Sequence, residues 1–235
     1  MEGHSILYIL VLYHVAAEHS IAYQGLRQYL SAEEYNDIYI HDNTPHNVYL
    51  AEAYNRGLEY AILHRYKWIV LLDADTAVSE EYVRTLKAAI AEDATSVCVP
   101  VLVDSKGKQL SPSKLYGKPT AFNSGLAVRC EIMEQIGGFN RNYPLDYLDN
   151  WLCRELYIRH INLTVLPVRL LHNLSVNDPK HYVSKERYNS ILHGERQFAE
   201  QYNEVIRYKM RLLCRLCKWI LTGHPCIKET FRALI

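Results

Sequence analysis

The first hundred residues alternate short apolar runs with segments of helical spacing, and this alternation constrains the fold more than any other feature. The runs Ser5–Tyr13, Asp37–His41, Lys67–Leu72 and Ser96–Val103 are predicted to form buried strands. Helices are predicted between them, with Ser79 as the cap of the helix after the third strand. Strands that alternate with helices indicate an α/β fold with a mostly parallel central sheet and helices on both faces.

The second half of the chain is less regular. Asp104–Pro119 is polar and rich in Gly, Pro, Ser and Lys, which predicts a loop, and Gly137-Gly138-Phe139 predicts a turn. The remaining predicted strands are Ala121–Val128 and Asn162–Leu170, and the remaining predicted helices are Tyr147–Ile158, Lys185–Tyr202 and Glu204–Leu221.

Charge is balanced overall but unevenly spread. The chain has 26 basic and 26 acidic residues, so no global field attracts nucleic acid, and none is expected as a partner. From Val205 onward there are seven Lys or Arg and one acidic residue, which leaves 19 basic and 25 acidic residues in the first 204. The asymmetry predicts a tail that meets an anionic surface.

The six cysteines favour free thiols in a reducing cytoplasm, because neither a signal-peptide pattern nor a run of transmembrane length is found. Cys214, Cys217, His224 and Cys226 could form a zinc site, but this alternative is disfavoured, since the first two lie in a helical pattern without a second C-x-x-C.

Carboxylates follow two of the predicted strands. Asp73-Ala74-Asp75 comes directly after WIVLL, and residues two apart in a strand point the same way. Ligands of such sheets bind at the carboxyl ends of the strands, where two carboxylates can hold a divalent cation such as Mn²⁺ or Mg²⁺ that neutralises a diphosphate. Alternatively, Asp75 caps a turn. Asp42 could accept hydrogen bonds from a ribose or base, or form an Asx turn with Asn43.

Three further residues could take part in chemistry. Asp146 and Asp149 would share one face of a helix, where one could be a general base, or both could stabilise the helix start. His172 follows the run VLPVRLL and could ligate a metal, donate to phosphate or be structural.

Several segments together resemble the family 2 glycosyltransferases of the GT-A fold, the nucleotide-diphospho-sugar transferase fold, and within them the rhamnosyltransferase-like branch. The resemblance covers Ile6 to Ser175. The matching segments, in the order of the family, are ILVLYH, IYIHDNTP, NVYLAEAYNRGLEYA, WIVLLDADTAV, FNSGLAV, IGGFNRNYPLDYLDNWLCREL and LLHNLS.

The resemblance implies a donor site with defined roles. Asp42 would contact the uracil or thymine base, Asp73 the ribose or the metal, and Asp75 the metal and the diphosphate. Ser124 and Gly125 would line the sugar site.

The resemblance also implies a catalytic base and a domain plan. Asp149 would be the base, with Asp146 in reserve, and His172 would assist the diphosphate or metal. Residues 1–180 would form the GT-A domain, with a nucleotide-binding half (1–104) and an acceptor half (105–180), and residues 181–235 would be a C-terminal helical extension.

The expected activity is that of an inverting, metal-dependent hexosyltransferase. It would move sugar from a UDP- or dTDP-sugar to a saccharide or lipid-linked saccharide, in cell-surface polysaccharide or glycolipid synthesis. The alternatives are a catalytically silent nucleotide-sugar-binding or scaffold protein of the same fold, and a nucleotidyltransferase. The latter is disfavoured because VAAEHS stands where a Gly-rich phosphate loop is needed.

The predicted C-terminal helix has an apolar seam with basic residues beside it. The helix could lie in a membrane surface, which would place the enzyme at the inner face of the cell membrane, or it could pack on the domain with a solvated basic face. The seam consists of Ile206, Met210, Leu213, Cys217 and Ile220.

Overall fold

The computed structural model describes residues 6–92, 95–172 and 184–235. The chain divides into two compact units, Met1–Asn173 and Leu174–Ile235, and the predicted boundary at residues 180 and 181 lies outside the described residues. The elements of the first unit are β1 (Ile6–Leu12), α1 (Ile21–Tyr29), β2 (Ile38–Asp42), α2 (Tyr49–Leu63), β3 (Trp68–Asp73), α3 (Glu80–Ala91), β4 (Val97–Val103), β5 (Gln109–Ser111), β6 (Ser113–Leu115), β7 (Lys118–Thr120), β8 (Leu126–Arg129), α4 (Cys130–Ile136), α5 (Leu148–Ile158) and β9 (Thr164–Leu171).

Seven strands of the first unit form one sheet. Strand β1 pairs in parallel with β2 and β3, and β4 pairs in parallel with β9. Strand β8 lies antiparallel between β3 and β4, and β5 is antiparallel to β4. The strand order is β2-β1-β3-β8-β4-β5, with β9 on β4, so five of the seven strands run in the same direction. The prediction of a mostly parallel sheet is confirmed.

Helices cover both faces of this sheet, which explains why β1 is apolar throughout. Tyr8 and Leu10 belong to one buried cluster with Leu26 of α1 and Leu86 of α3. The intervening residue Ile9 faces the other way, towards α2, because successive side chains of a strand alternate between faces. Every residue of β1 is buried, as expected of a strand covered on both sides.

Strands from distant parts of the chain end at one edge of the sheet. Strands β1, β2, β3, β4 and β9 all end at this edge, and the antiparallel β8 begins there. Gly125, directly before β8, donates its backbone N–H to the carbonyl of Leu71 near the end of β3 at 2.8 Å. The polar residues that follow β2, β3 and β9 therefore lie along the same edge as those that precede β8.

The structure differs from the sequence prediction in four places. The predicted loop Asp104–Pro119 contains β5, β6 and part of β7, because three-residue strands of polar composition carry no recognisable alternation. The strand predicted from Ala121 begins only at Leu126, after Gly125 with its φ of +79°. Helix α4 was not predicted. Helix α5 begins at Leu148, so Asp146 precedes the helix and does not share a helical face with Asp149, contrary to the prediction.

The second unit consists, in its described part, of helices that pack on one another: α6 (Lys185–Gln201), α7 (Val205–Thr222) and α8 (Ile227–Leu234). Tyr208, Leu212 and Leu216 form the buried face of α7, whereas the residues of the predicted seam are exposed. Helix α7 thus packs with a face other than the seam. Among the described residues, no helix combines the length and apolar character needed to cross a bilayer.

Candidate functional site

Three potential metal ligands meet at the edge where the parallel strands end. Asp73 is the last residue of β3, Asp75 lies in the turn that follows, and His172 comes directly after β9. One ligand atom from each lies within 4.8 Å of the others, and this is the one such group of His, Cys, Asp or Glu among the described residues. The disfavoured zinc set in the second unit is not brought together as such a group.

Backbone contacts hold the turn between the two carboxylates. The carbonyl of Ala74 accepts hydrogen bonds from the Ser20 hydroxyl at 2.9 Å and from the Ala22 N–H at 3.2 Å, at the start of α1. Thr76 forms a β-bridge with His172, whose own N–H donates to the carbonyl of Val103 at 3.0 Å. Strands β4 and β9 therefore fix His172 beside the turn that carries Asp75.

Asp73 is held by hydrogen bonds to both carboxylate oxygens. Ser124 donates its hydroxyl to Oδ2 at 2.5 Å, and Tyr54 of α2 donates its hydroxyl to Oδ1 at 3.4 Å. Tyr54 is fully buried, and this burial, reinforced by the Asp73 charge, raises the pKa of its phenol well above the usual value. Tyr54 therefore stays a protonated donor, and the orientation of Asp73 is fixed.

The side chains of Asp75 and His172 have fewer hydrogen-bond partners than the side chain of Asp73. Their Oδ1 and Nδ1 atoms are 3.9 Å apart, too far for a hydrogen bond. His172 is 4% exposed, and its Nδ1 has no hydrogen-bond partner among the described residues. Desolvation raises the pKa of the Asp75 carboxyl, and the charge of Asp73 adds to this, although His172 opposes it. A buried imidazole nitrogen without a partner beside two carboxylates fits a divalent cation.

Asp149, in the first turn of α5, is a candidate proton acceptor. Desolvation is the main reason why its pKa is raised from 3.8 to about 6, and the negative charges of Asp73 and Asp146 contribute. The backbone N–H of Asn150 limits this rise by donating to Oδ1 at 2.7 Å. A carboxylate with a pKa close to neutral pH suits a general base.

A short hydrogen-bond chain orients the Asp149 side chain. The amide Nδ2 of Asn150 donates to Oδ1 of Asp149 at 2.9 Å. The hydroxyl of Thr120, the last residue of β7, donates to Oδ1 of Asn150 at 2.9 Å. Strand β7, which begins in the segment predicted as a loop, thus supports the candidate base.

Asp42 lies at the same edge but outside the metal-ligand group. It is exposed, and its Oδ1 accepts the backbone N–H of Thr44 at 2.8 Å, which forms the Asx turn that the sequence allows as its alternative role. Leu12 pairs with Asp42, and Val11 with Asp73, so the backbones of the two aspartates are two strand spacings, about 10 Å, apart on either side of β1.

Ser124 and Gly125 are buried, and the structure gives both a supporting role. Ser124 binds Asp73, as described above. The carbonyl of Gly125 accepts the Tyr82 hydroxyl at 2.8 Å, and a Cβ on Gly125 would lie 2.8 Å from Cγ of Pro100. Contact of these two residues with a sugar stays a prediction.

Sequence reasoning missed three residues of this region. Tyr54 lies within the segment NVYLAEAYNRGLEYA, and nothing in the sequence shows that its hydroxyl reaches Asp73. Asn150 stands beside the candidate base, but only the tertiary structure orients its amide. Asn55 has a signal in the quoted segment AYNRG: its side chain forms two hydrogen bonds of 2.8 Å with the backbone of Phe139, which attaches the Gly-Gly-Phe turn to α2.

A cavity of about 650 Å³ lies elsewhere and contains none of the predicted site residues. Its lining includes Trp68, the first residue of β3, and Arg129, the last residue of β8. Both positions are at the opposite edge of the sheet. The cavity is therefore separate from the acidic group.

The sequence profile described as "Glycosyl transferase family 2" matches residues 23–148, more than half of the chain. The chain belongs to glycosyl transferase family 2. The matched range contains Asp42, Asp73 and Asp75 and ends one residue before Asp149. Membership confirms the predicted glycosyltransferase family, and the nucleotide-sugar donor stays a prediction. The rhamnosyltransferase-like branch stays a prediction, because the match is to the family as a whole.

Solved structures confirm the GT-A fold of this family 2 glycosyltransferase. S. aureus TarS 1–349 in complex with UDP-GlcNAc is 14% identical, with a TM-score of 0.54, over 85% of this chain and 72% of that one. TarS 1–349 in complex with UDP is 14% identical, with a TM-score of 0.53, over 82% of this chain and 65% of that one. The chain thus spans less than two thirds of the latter structure. At this identity, the likeness shows the fold alone. No curated protein matches the chain.

Proposed function

We propose that this protein is an inverting, metal-dependent glycosyltransferase that moves a sugar from a UDP- or dTDP-sugar to a saccharide or lipid-linked saccharide. The observation that carries the proposal is the placement of Asp73, Asp75 and His172 at the sheet edge, with Asp149 close enough for its pKa to respond to Asp73. An acidic group beside a carboxyl poised near neutral pH suits a reaction in which a diphosphate leaves and a hydroxyl loses its proton.

Asp75 and His172 would hold a Mn²⁺ or Mg²⁺ ion, with Asp73 directed to the ion or the ribose. The cation supplies charge neutralisation for the diphosphate, which eases departure of the nucleoside diphosphate. Asp42 would accept a hydrogen bond from the base. UDP is the first nucleotide to test, since the S. aureus TarS structures are complexes with UDP and UDP-GlcNAc.

Asp149 would remove the proton from the acceptor hydroxyl. The acceptor oxygen forms a bond to the anomeric carbon while the bond from that carbon to the phosphate oxygen breaks, and the electron pair of the broken bond leaves with the diphosphate. A single displacement of this kind inverts the anomeric carbon. Asn150 and the Thr120 hydroxyl would keep the Asp149 carboxylate in position. Asp146 is the reserve base, although it precedes α5.

The acceptor would belong to cell-surface polysaccharide or glycolipid synthesis. A lipid-linked acceptor would place the enzyme in the cytoplasm at the inner face of the cell membrane.

Calorimetric titration of UDP and dTDP, with and without Mn²⁺, tests the donor site. We expect metal-dependent binding of one nucleotide that is abolished in Asp75→Ala. Glu80→Gln, which removes an exposed carboxylate from the nearby start of α3, is the matched control and should bind as the unaltered chain does. The proposal would be contradicted if neither nucleotide bound, with or without Mn²⁺.

Turnover of a UDP-sugar, measured as UDP release, tests the base. Asp149→Asn should lower the rate on the order of 10²- to 10⁴-fold while nucleotide binding survives. Full activity in Asp149→Asn together with loss in Asp146→Asn would transfer the role to Asp146. Nucleotide binding without turnover in the unaltered chain would favour the silent sugar-nucleotide-binding protein instead.

A further inference from the structure

Helix α7 has two apolar faces, of which only one is used by the fold. Tyr208, Leu212 and Leu216 are buried against the neighbouring helices. At about 100° per residue, the centre of the second apolar face lies about 130° around the helix from the centre of the first. Ile206 at its start is 79% exposed and Leu221 at its end is 87% exposed. We call this second face the outer seam; its residues are Ile206, Met210, Leu213, Cys217, Ile220 and Leu221.

Cations border the outer seam on both sides. Lys209 lies along one side, and Arg207 and Lys218 lie along the other. Helix α7 has no acidic residue. The ammonium groups of Lys209 and Lys218 form no ion pair with any described residue, so their charges are available to an outside partner.

A different basic residue of α7 has a purely internal role. Arg215 donates two hydrogen bonds of 3.0 Å to the carboxylate of Glu195 on α6. The Glu195 side chain is fully buried. This pair fixes α7 on α6 by the face opposite the outer seam. The helix is therefore held within its own unit without the outer seam, whose apolar side chains are left to contact something else.

We propose that the outer seam of α7 docks on an anionic membrane surface, with its apolar side chains among the acyl chains and its flanking cations at the lipid headgroups. An apolar stripe bordered by Lys and Arg is the pattern of helices that lie in the plane of an interface. The 18-residue helix is about 27 Å long and would lie flat. Its seam could also cover a second copy of the chain, but that contact would bring two acid-free basic helices together, and their charges would repel.

This inference extends the proposed function, because docking would bring the enzyme to a lipid-linked acceptor. Its test is nevertheless separate, since vesicle binding is measured without donor, metal or turnover. The full chain is sedimented with vesicles of phosphatidylcholine mixed with phosphatidylglycerol, and with vesicles of phosphatidylcholine alone. We expect binding to the anionic vesicles and far weaker binding to the neutral ones, with loss of binding at high salt.

Two double variants separate the apolar and the electrostatic contributions. Leu213→Gln with Ile220→Gln leaves the net charge unchanged and should weaken anionic-vesicle binding tenfold or more. Lys209→Gln with Lys218→Gln should weaken it by about fivefold per charge. The substituted side chains of these four residues are exposed, so the fold should persist, which circular dichroism checks.

Matched controls change the same chemistry elsewhere. Leu63→Gln with Ile158→Gln replaces two exposed apolar side chains of the first unit, and Lys106→Gln with Lys108→Gln removes two exposed charges from it. Both controls should bind within about twofold of the unaltered chain. The proposal is overturned if the unaltered chain does not bind anionic vesicles, or if the outer-seam variant binds as well as its control. Sedimentation as a dimer that the outer-seam variant dissociates, without vesicle binding, would assign the surface to a second copy instead.

Discussion

The Ser124 hydroxyl donates a 2.5 Å hydrogen bond to Oδ2 of Asp73, although 51 residues separate the two along the chain. The contact arises because β8 runs antiparallel to β3, so the residues before β8 lie beside the end of β3. Ser124 is buried, and Tyr54 occupies the other oxygen of Asp73. The orientation of the first carboxylate in the candidate metal group thus depends on a residue from the predicted acceptor half.

Replacing Ser124 by Ala should weaken metal-dependent nucleotide binding about tenfold. A hydrogen bond to a charged group contributes about 1.5–3 kcal/mol, and without it the Asp73 carboxylate can rotate away from the cation site. Calorimetric titration of UDP in the presence of Mn²⁺ measures the change. Ser113→Ala, at an exposed position of β6, is the control. An unchanged dissociation constant in Ser124→Ala would show that the bond does not position Asp73.

Replacing Asp149 by Asn should stabilise the fold near neutral pH. The pKa of Asp149 is raised from 3.8 to about 6 in the folded protein, so the folded state binds this proton more tightly than the unfolded state. The stabilisation from the bound proton is present below about pH 4 and is lost as the pH rises through about 6. We expect the variant to gain about 1–2 kcal/mol in the free energy of unfolding near pH 7, and this gain to shrink as the pH falls towards 4.

Urea denaturation at several pH values measures this difference. Glu80→Gln, at an exposed position, is the control variant. Equal stability of Asp149→Asn and the unaltered chain throughout the range would mean that Asp149 is not desolvated, and the argument for its raised pKa would fail.

Removing the Asn150 side chain should move the acid limb of the pH–rate profile to higher pH. The Asn150 amide stabilises the ionised form of Asp149, so its loss raises the pKa of the base further. Because the base works only when ionised, turnover of Asn150→Ala near pH 6 should fall about threefold and recover at higher pH. Thr120→Val should shift the profile in the same direction but less, whereas Thr120→Ser should not. A uniform loss of rate without a shifted acid limb would contradict this prediction and would indicate misfolding or weaker substrate binding.

The sequence predicts the parts of the fold whose residues share one local pattern. Strand β1 is recognisable because every residue faces a helix layer, and Ser79 accepts the N–H of Tyr82 as a predicted helix cap. The sequence predicts the position of Asp73 and Asp75 because they follow a buried strand. In each case the physical cause lies within a few residues of the feature.

The rest depends on contacts between distant segments. The short strand β7 brings Thr120 to Asn150 across 30 residues, and nothing in the polar segment before it indicates a strand. Tyr54 is a helix residue whose role is visible only in the folded structure, where Asp73 at the end of β3 lies near its hydroxyl. On α7 the sequence shows the outer seam, but only the packing of the three helices shows that a second face is the buried one.

Asn55 gives a test of the contact that joins α2 to the acceptor half. Its side chain donates to the carbonyl of Phe139 and accepts the N–H of Phe139, each at 2.8 Å and both buried. Asn55→Ala leaves two backbone groups without partners, so the free energy of unfolding should fall by about 2–4 kcal/mol. Asn55→Asp should also destabilise the fold, because a carboxylate cannot donate to the Phe139 carbonyl. Urea denaturation checks both variants against Asn36→Ala, an exposed position expected to change by less than about 0.5 kcal/mol. If Asn55→Ala were as stable as Asn36→Ala, the turn at Phe139 would be held by other contacts.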